Sequence, residues 1–82
     1  MPVFDILDGI VISVFPREHL PPHCHAQYAE HEALIAIRTV EVIAGRLPPK
    51  PLKKVVAFME KEQNRLDLLE TFYQLNPQIK RM

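Results

Sequence analysis

The stretch that decides the fold is VFDILDGIVISVF, residues 3–15. Two runs rich in β-branched and aromatic residues flank the dipeptide Asp8-Gly9. Asp-Gly between such runs predicts a β-hairpin, because a two-residue type I′ turn needs positive φ, which Gly adopts freely and Asp tolerates. With the turn closed in this way, the expected facing pairs are Leu7 with Ile10, Ile6 with Val11, and Phe4 with Ser13.

More strands are predicted after this hairpin. The prolines between residues 16 and 22 indicate a loop, since proline lacks the N–H that a central strand needs. The residues that follow alternate in character, which predicts a third strand with Cys24, Ala26 and Tyr28 on its apolar face. Residues 33–37 are predicted as a fourth strand. Residues 39–43 form either a short fifth strand or a continuation of the fourth past a bulge at Arg38, closed by Gly45.

The second half of the chain has a helical pattern. A proline-rich stop at residues 48–51 precedes apolar residues that recur at helical spacing. Asn64, with Asp67 three residues later, resembles an N-cap, so the pattern leaves open one bent helix or two, at about residues 50–62 and 65–75.

The predicted fold class is therefore α+β. An antiparallel β meander of four or five strands, about residues 2–43, precedes one bent or two C-terminal helices at about residues 50–75, in a single domain over residues 1–82. The predicted core comprises Phe4, Ile6, Val11, Cys24, Ala26, Tyr28, Ile35, Ile37, Val55, Val56, Met59, Leu66 and Leu69.

The charge balance, the apolar runs and the chain length limit the partners and the location that can be expected for this protein. Ten basic residues balance ten acidic ones, so nucleic acid stays open as a partner but the charge does not indicate it. No apolar run approaches the roughly 20 residues that span a bilayer, and the first residues lack a signal-peptide pattern. We therefore expect a cytoplasmic protein without membrane contact. A chain of this size buries only about 60–65% of its unfolded surface, which favours a homodimer.

The histidines of PPHCHAQY, residues 21–28, are the main candidates for chemistry. His23 and His25 stand at i and i+2 on a strand, so their side chains share a face and can share a metal ion, a phosphate or a proton-transfer task. His19 can fold back as a third imidazole, which would match the ligand count of a catalytic zinc site. Alternatively, these are ordinary outward residues of a strand. The cofactor stays unknown, with a divalent metal on His19, His23 and His25 as the candidate.

Two other features bear on chemistry. Arg38 and Arg46 belong to the basic stretch at the junction of strands and helices, and are candidate phosphate-binding residues. Cys24 is predicted to be a buried small hydrophobe and not a nucleophile, because its strand neighbours His23 and His25 point to the opposite face.

The block EHLPPHCHAQY, residues 18–28, resembles a small bacterial family called domain of unknown function 4160. The resemblance covers most of the first fifty residues and continues to Gly45-Arg46-Leu47-Pro48. It implies a short cytoplasmic protein similar to members of toxin–antitoxin-like gene pairs. The family motif corresponds to Glu18, His19, Pro21, Pro22, His23 and His25, and Glu18 stands where the family usually has aspartate.

Three functional hypotheses follow, and they leave open whether the protein is an enzyme. The first is a toxin–antitoxin-like interaction module that binds a small partner protein, which the neutral charge favours. The second is a nuclease-like hydrolase with His23, His25 and Glu18 as catalytic residues and Arg38 or Arg46 steadying phosphate. The third is a small metal-binding protein.

Overall fold

The computed structural model describes residues 3–80 and shows five strands followed by two helices. The strands are β1 (Val3–Leu7), β2 (Ile10–Ser13), β3 (His23–Tyr28), β4 (His31–Ala36) and β5 (Glu41–Arg46), and the helices are α1 (Pro49–Glu60) and α2 (Glu62–Leu75). All strands pair antiparallel in the order β1-β2-β3-β4-β5. The predicted α+β meander is confirmed. Residue 2, where the sheet was expected to begin, lies outside the described residues.

The first hairpin forms around Asp8 and Gly9, which adopt φ values of 46° and 82°. Ile6 pairs with Val11 and Leu7 pairs with Ile10, as predicted. The expected pairing of Phe4 with Ser13 is wrong, because the register shifts between Val3 and Asp5 and Ser13 pairs with Val3. Phe4 is the extra residue of this bulge, and its ring meets the ring of Phe58 on α1 edge-on, with centroids 6.2 Å apart.

One face of the sheet packs on the helices and forms the core. The fully buried apolar side chains include Ile10, Ile12, Val14, Cys24, Ala26, Ala33, Ile35, Ile37, Val55, Met59, Leu68 and Phe72. Two predicted core residues are exposed instead: Ile6 at 60% and Leu66 at 50%. Ile6 pairs with Val11 and so lies on the sheet face away from the Ile10 and Ile12 side chains.

The helical half contains two helices, separated at Lys61, whose φ of −70° and ψ of 123° are extended. Asn64 does not cap the second helix, which begins at Glu62; its amide donates to the Phe58 carbonyl at 3.0 Å and so ties α2 to the end of α1. The side of α2 that packs on the core carries Leu68 and Phe72, and Leu66 lies outside it. Within the described residues, neither helix is long and apolar enough to cross a membrane.

The fifth strand also differs from its predicted position. Residues 37–40 form a turn, and the strand runs from Glu41 to Arg46 with Gly45 inside it. Gly45 has φ of 71° and pairs with Ala33. A Cβ at this position would overlap the backbone carbonyl oxygen of Glu32. Gly45 therefore permits close contact between β4 and β5, and it does not end the strand.

The two glycines provide a matched test of this packing. We expect Gly9→Ala to cost about 1–2 kcal/mol of unfolding free energy, because the new Cβ meets only the Tyr28 ring at 4.0 Å and the cost is that of positive φ. Gly45→Ala adds an overlap with backbone, so it should lower the unfolding free energy by about 1–3 kcal/mol more than Gly9→Ala does. Urea unfolding of both variants measures the difference, and equal losses would contradict this account of β5.

Candidate functional site

Glu18, in the loop between β2 and β3, lies against two histidines of β3. Its Oε2 is 3.2 Å from His23 Nε2, and its Oε1 is 2.8 Å from His25 Nε2. One donor atom from each of the three side chains lies within 4.8 Å of the other two. The three residues Glu18, His23 and His25 are called the histidine cluster below.

Strand geometry explains why the two histidines meet one carboxylate. His23 and His25 project from the same face of β3. Cys24 projects from the other face, where its sulfur lies 3.8 Å from the sulfur of Met59. Burial raises the pKa of the Cys24 thiol to about 12. Cys24 is therefore a protonated core residue at neutral pH, and it cannot serve as a nucleophile of the histidine cluster.

The histidine cluster is half-buried. The side chain of His23 is 5% exposed, that of His25 15% and that of Glu18 19%. The Phe15 ring stands edge-on to His25 with centroids 4.6 Å apart, and the Phe72 ring lies 5.8 Å from His23. His23 is therefore buried, because the loop and α2 cover it, and it is not an ordinary outward residue of a strand. Glu18 and His25 keep contact with solvent.

The remaining ring nitrogens of the cluster also have partners. His23 Nδ1 lies 2.9 Å from the Pro21 carbonyl oxygen, and His25 Nδ1 lies 3.1 Å from Glu32 Oε2. A carbonyl only accepts, so His23 Nδ1 carries a proton and donates it to Pro21. The pattern shows that both imidazole rings are held in fixed orientations from the side opposite Glu18.

The other predicted site residues lie outside the histidine cluster. His19 is exposed, and it lines a shallow groove with Arg17 and Ile79. The Arg38 guanidinium donates to the Tyr73 hydroxyl at 3.3 Å, on α2. Arg46 is exposed at the end of β5, where its backbone pairs with that of Glu32 on β4.

Sequence reasoning missed Glu32 as a neighbour of His25. The signal was present, because β3 and β4 are joined by the two-residue turn Ala29-Glu30, and that turn fixes Leu34 opposite His25. Glu32 then lies diagonally across from His25, within reach of a long side chain. The polar character of residues 29–32 predicted a four-residue turn before a fourth strand at residues 33–37, whereas β4 spans His31–Ala36. A turn restricted to Ala29-Glu30 would have predicted this contact.

Asn76 was also missed, and it holds the loop that carries Glu18. Its side chain is fully buried at the end of α2. Its Oδ1 accepts from the Glu18 N–H at 2.8 Å, and its Nδ2 donates to the carbonyls of Phe15 at 3.0 Å and Phe72 at 2.9 Å. One amide therefore fixes the loop before and at Glu18, and places the carboxylate between the histidines.

Replacing Asn76 tests this role. We expect Asn76→Ala to lower the unfolding free energy by about 2–4 kcal/mol, because it leaves buried backbone groups without partners, each worth about 1–3 kcal/mol. It should also shift the imidazole NMR signals of His23 and His25, since Glu18 is released. Asn64→Ala is the control, because that amide makes a single bond to Phe58 and lies far along α2. Unchanged imidazole signals in Asn76→Ala would contradict the positioning role.

Comparison with known proteins identifies a family for this chain, but that family has no assigned activity. No curated protein and no solved structure matches the chain. The model of the family described as Domain of unknown function (DUF4160) matches residues 9–70, which include all three residues of the histidine cluster, Glu32 and most of the helical half. Because this match spans most of the chain, the protein belongs to the DUF4160 family.

Proposed function

We propose that this protein is a small metal-binding protein in which Glu18, His23 and His25 bind a divalent transition metal. The observation that carries the proposal is the convergence of two imidazole nitrogens and one carboxylate, with donor atoms all within 4.8 Å of one another. Two histidines and one glutamate form a ligand set that proteins use for Zn²⁺. The separation of 3.2 Å between His23 Nε2 and Glu18 Oε2 is close to that of two donors on one tetrahedral ion, about 3.3 Å for ligand distances of about 2.0–2.1 Å. His25 Nε2 lies closer to Glu18 Oε1, at 2.8 Å, and the donor atoms of the three side chains span up to 4.8 Å, so metal binding would require the side chains to shift.

The number of protons that the two imidazole rings can donate supports a cation between these groups. A neutral imidazole carries one proton, and in His23 that proton lies on Nδ1, so Nε2 presents a lone pair to the Glu18 carboxylate. In His25 both ring nitrogens face carboxylate oxygens, which only accept when ionised. The contacts are satisfied when each ring carries a second proton, or when one divalent cation lies between the two Nε2 atoms and Glu18.

The contacts on the far side of each ring match those of metal-binding histidines. Such histidines donate their other N–H to a carbonyl or carboxylate, which fixes the tautomer and the ring orientation. The Pro21 carbonyl does this for His23, and the Glu32 carboxylate does it for His25. With the two imidazoles neutral, a divalent ion would be opposed by the charge of Glu18 inside the half-buried cluster and by that of the more exposed Glu32 at its edge.

The nuclease-like alternative receives less support from this geometry. General acid–base catalysis needs a ring nitrogen within hydrogen-bond reach of a substrate. All four ring nitrogens of His23 and His25 already contact Glu18, Pro21 or Glu32. A phosphodiester would have to displace one of these contacts before either histidine could transfer a proton.

Metal binding can be measured with matched histidine variants. Untagged protein stripped with chelator should bind Zn²⁺ or Co²⁺ one to one in isothermal titration calorimetry. Glu18→Gln, His23→Gln and His25→Gln should each weaken binding more than about 100-fold, since loss of an outer partner alone costs about 10–100-fold. His31→Gln is the control, because His31 pairs with Glu30 at 3.4 Å on the surface.

His19→Gln separates this ligand set from the three-histidine set predicted from sequence. His19 lies outside the histidine cluster, so we expect its variant to bind like the wild type. A wild-type chain that binds no divalent transition metal at micromolar concentration would overturn the proposal, and so would equal losses in the His19, His31 and His25 variants.

An interaction module is the second candidate function, and the exposed edge strand β5 favours it. All six residues of β5 are exposed, including Val42 at 41% and Ile43 at 46%. Glu41 and Arg46 lie at the two ends of β5. An antiparallel β5 strand from a second copy would therefore place Glu41 of each copy opposite Arg46 of the other. The register shift in β5 interrupts its free edge, so the contact is expected to depend on side chains. We therefore propose a cytoplasmic homodimer that forms through β5. The alternative to be tested is that a small toxin–antitoxin-like partner protein binds the same strand.

The oligomeric state tests this second candidate. We expect a dimer by sedimentation at high micromolar concentration, and a monomer for Ile43→Lys, which places a charge in the apolar contact. Leu66→Lys should remain dimeric, because Leu66 is equally exposed but lies on α2. A monomeric wild type would contradict the homodimer, and co-elution with the product of a neighbouring gene would then identify the alternative occupant.

A further inference from the structure

A groove lies between the turn of the first hairpin and helix α1, and an ion pair crosses it. Lys54 Nζ on α1 lies 2.9 Å from Asp8 Oδ2 in the turn. Both side chains stay open to solvent, Lys54 at 54% and Asp8 at 73%. Asp8 and Lys54 line two cavities, of about 320 Å³ and about 120 Å³. The two cavities therefore meet at this ion pair and form one groove, called the hairpin groove below.

The larger cavity of the hairpin groove has an apolar wall. Leu7, Ala57 and Phe58 form this wall. Leu7 and Phe58 also pack against the core, and the Phe58 ring meets the Phe4 ring edge-on with centroids 6.2 Å apart. Ala57 is exposed and contributes only a methyl group, which leaves the cavity open beside Phe58. The cavity is therefore suited to one large apolar side chain from a ligand, since burial of such a side chain is favourable.

Three lysines follow the same side of α1 along the hairpin groove. Lys50, Lys54 and Lys61 are four and seven residues apart, so they lie within about 40° of one another around the helix axis. Lys50 lines the smaller cavity and Lys61 lines the larger one, about 16 Å further along the axis. Among residues 3–80, neither Lys50 nor Lys61 has an ion-pair partner, and the first turn of α1 contains no acidic residue. Each end of the groove therefore carries an uncompensated positive charge.

We propose that the hairpin groove binds an acidic amphipathic segment of a partner protein. A large apolar side chain of that segment occupies the larger cavity, and carboxylates on either side of it contact Lys50 and Lys61. Charge complementarity and the apolar wall both favour this chemistry. The residues of the hairpin groove belong neither to the histidine cluster nor to β5, so the inference is independent of metal binding and of the homodimer.

Asp8 favours an acidic peptide over a nucleic acid strand. Its carboxylate contacts Lys54, which lies between Lys50 and Lys61 along the helix. The hydrogen bond from Lys54 and the charge of Lys54 lower the pKa of Asp8, so this carboxylate is ionised at neutral pH. A nucleic acid carries a charge at every nucleotide, and a strand along the groove would place phosphate beside Asp8. A peptide can place its carboxylates at the two ends of the groove and its apolar side chain between them.

A random twelve-residue peptide library displayed on phage supplies the probe. Selection on the full chain should enrich peptides in which Leu, Ile or Phe stands between Asp or Glu residues. The most enriched peptide, made synthetically, should bind the wild type with an affinity that falls severalfold when NaCl rises from about 0.05 to 0.5 M, because salt screens exposed charges. Its binding should shift the backbone NMR signals of Leu7, Ala57 and Phe58.

Three variants and a matched control test the contacts. Lys50→Glu and Lys61→Glu should each weaken binding of the synthetic peptide about three- to tenfold, since each replaces an attraction by a repulsion on the surface. Ala57→Gln should weaken it about tenfold or more, because a neutral side chain then occupies the apolar cavity. Lys53→Glu is the control: it makes the same change of charge on α1, but Lys53 lines neither cavity, so binding should stay within about twofold of the wild type.

Several outcomes would overturn the inference. Selection that enriches no acidic peptides would do so, as would equal weakening by Lys53→Glu and Lys61→Glu, which would reduce the contact to general charge attraction. An unchanged affinity in Ala57→Gln would contradict the apolar anchor. Loss of a wild-type dimer in Ala57→Gln would identify a second copy as the occupant instead. Lys50, Ala57 and Lys61 are exposed, so their variants should keep the urea midpoint of the wild type, and weaker binding then reports the groove and not the fold.

Discussion

The buried amide of Asn76 is the interaction on which the site depends. A loop with three prolines has few backbone donors, and it cannot hold a carboxylate in place through a strand ladder. Asn76 supplies the missing bonds from the end of α2, to the carbonyl of Phe15 and the N–H of Glu18. The same amide bonds to Phe72, whose ring packs near His23. The last turn of the helix therefore fixes both the carboxylate and one wall of the histidine cluster.

The parts of this structure that sequence predicts are those set by local geometry. Asp8-Gly9 determines the turn, and the turn determines the pairing of Ile6 with Val11. The two-residue period of a strand places His23 and His25 on one face and Cys24 on the other, whatever the rest of the chain does. These relations involve residues that are close in sequence, so the amino-acid sequence alone is enough to predict them.

The parts that sequence did not predict depend on contacts between distant segments. The bulge at Phe4 accompanies an aromatic contact with Phe58, more than fifty residues away. The contact of Glu18 with His23 and His25 depends on Asn76, and the sequence shows Asn76 only as a helix-ending residue before proline. Propensity and periodicity contain no information on such contacts. The sequence therefore grouped Glu18 with His23 and His25 only through the resemblance to the family, and its contacts with both rings were not predicted.

The division of the sheet into two faces explains how so small a chain can hold a polar cluster. The face that carries Ile12, Cys24 and Ile35 is covered by the helices, and it supplies the apolar burial that stabilises the fold. On the opposite face, the histidine cluster is covered by the Glu18 loop and by Phe72 at the end of α2. Polar groups in that half-covered region lose part of their hydration, so contacts among imidazoles, carboxylates and a cation are stronger there than on an open surface. Pro21 and Glu32 contact the Nδ1 atoms of the two rings, so each ring is held in an orientation that turns its Nε2 towards the Glu18 carboxylate.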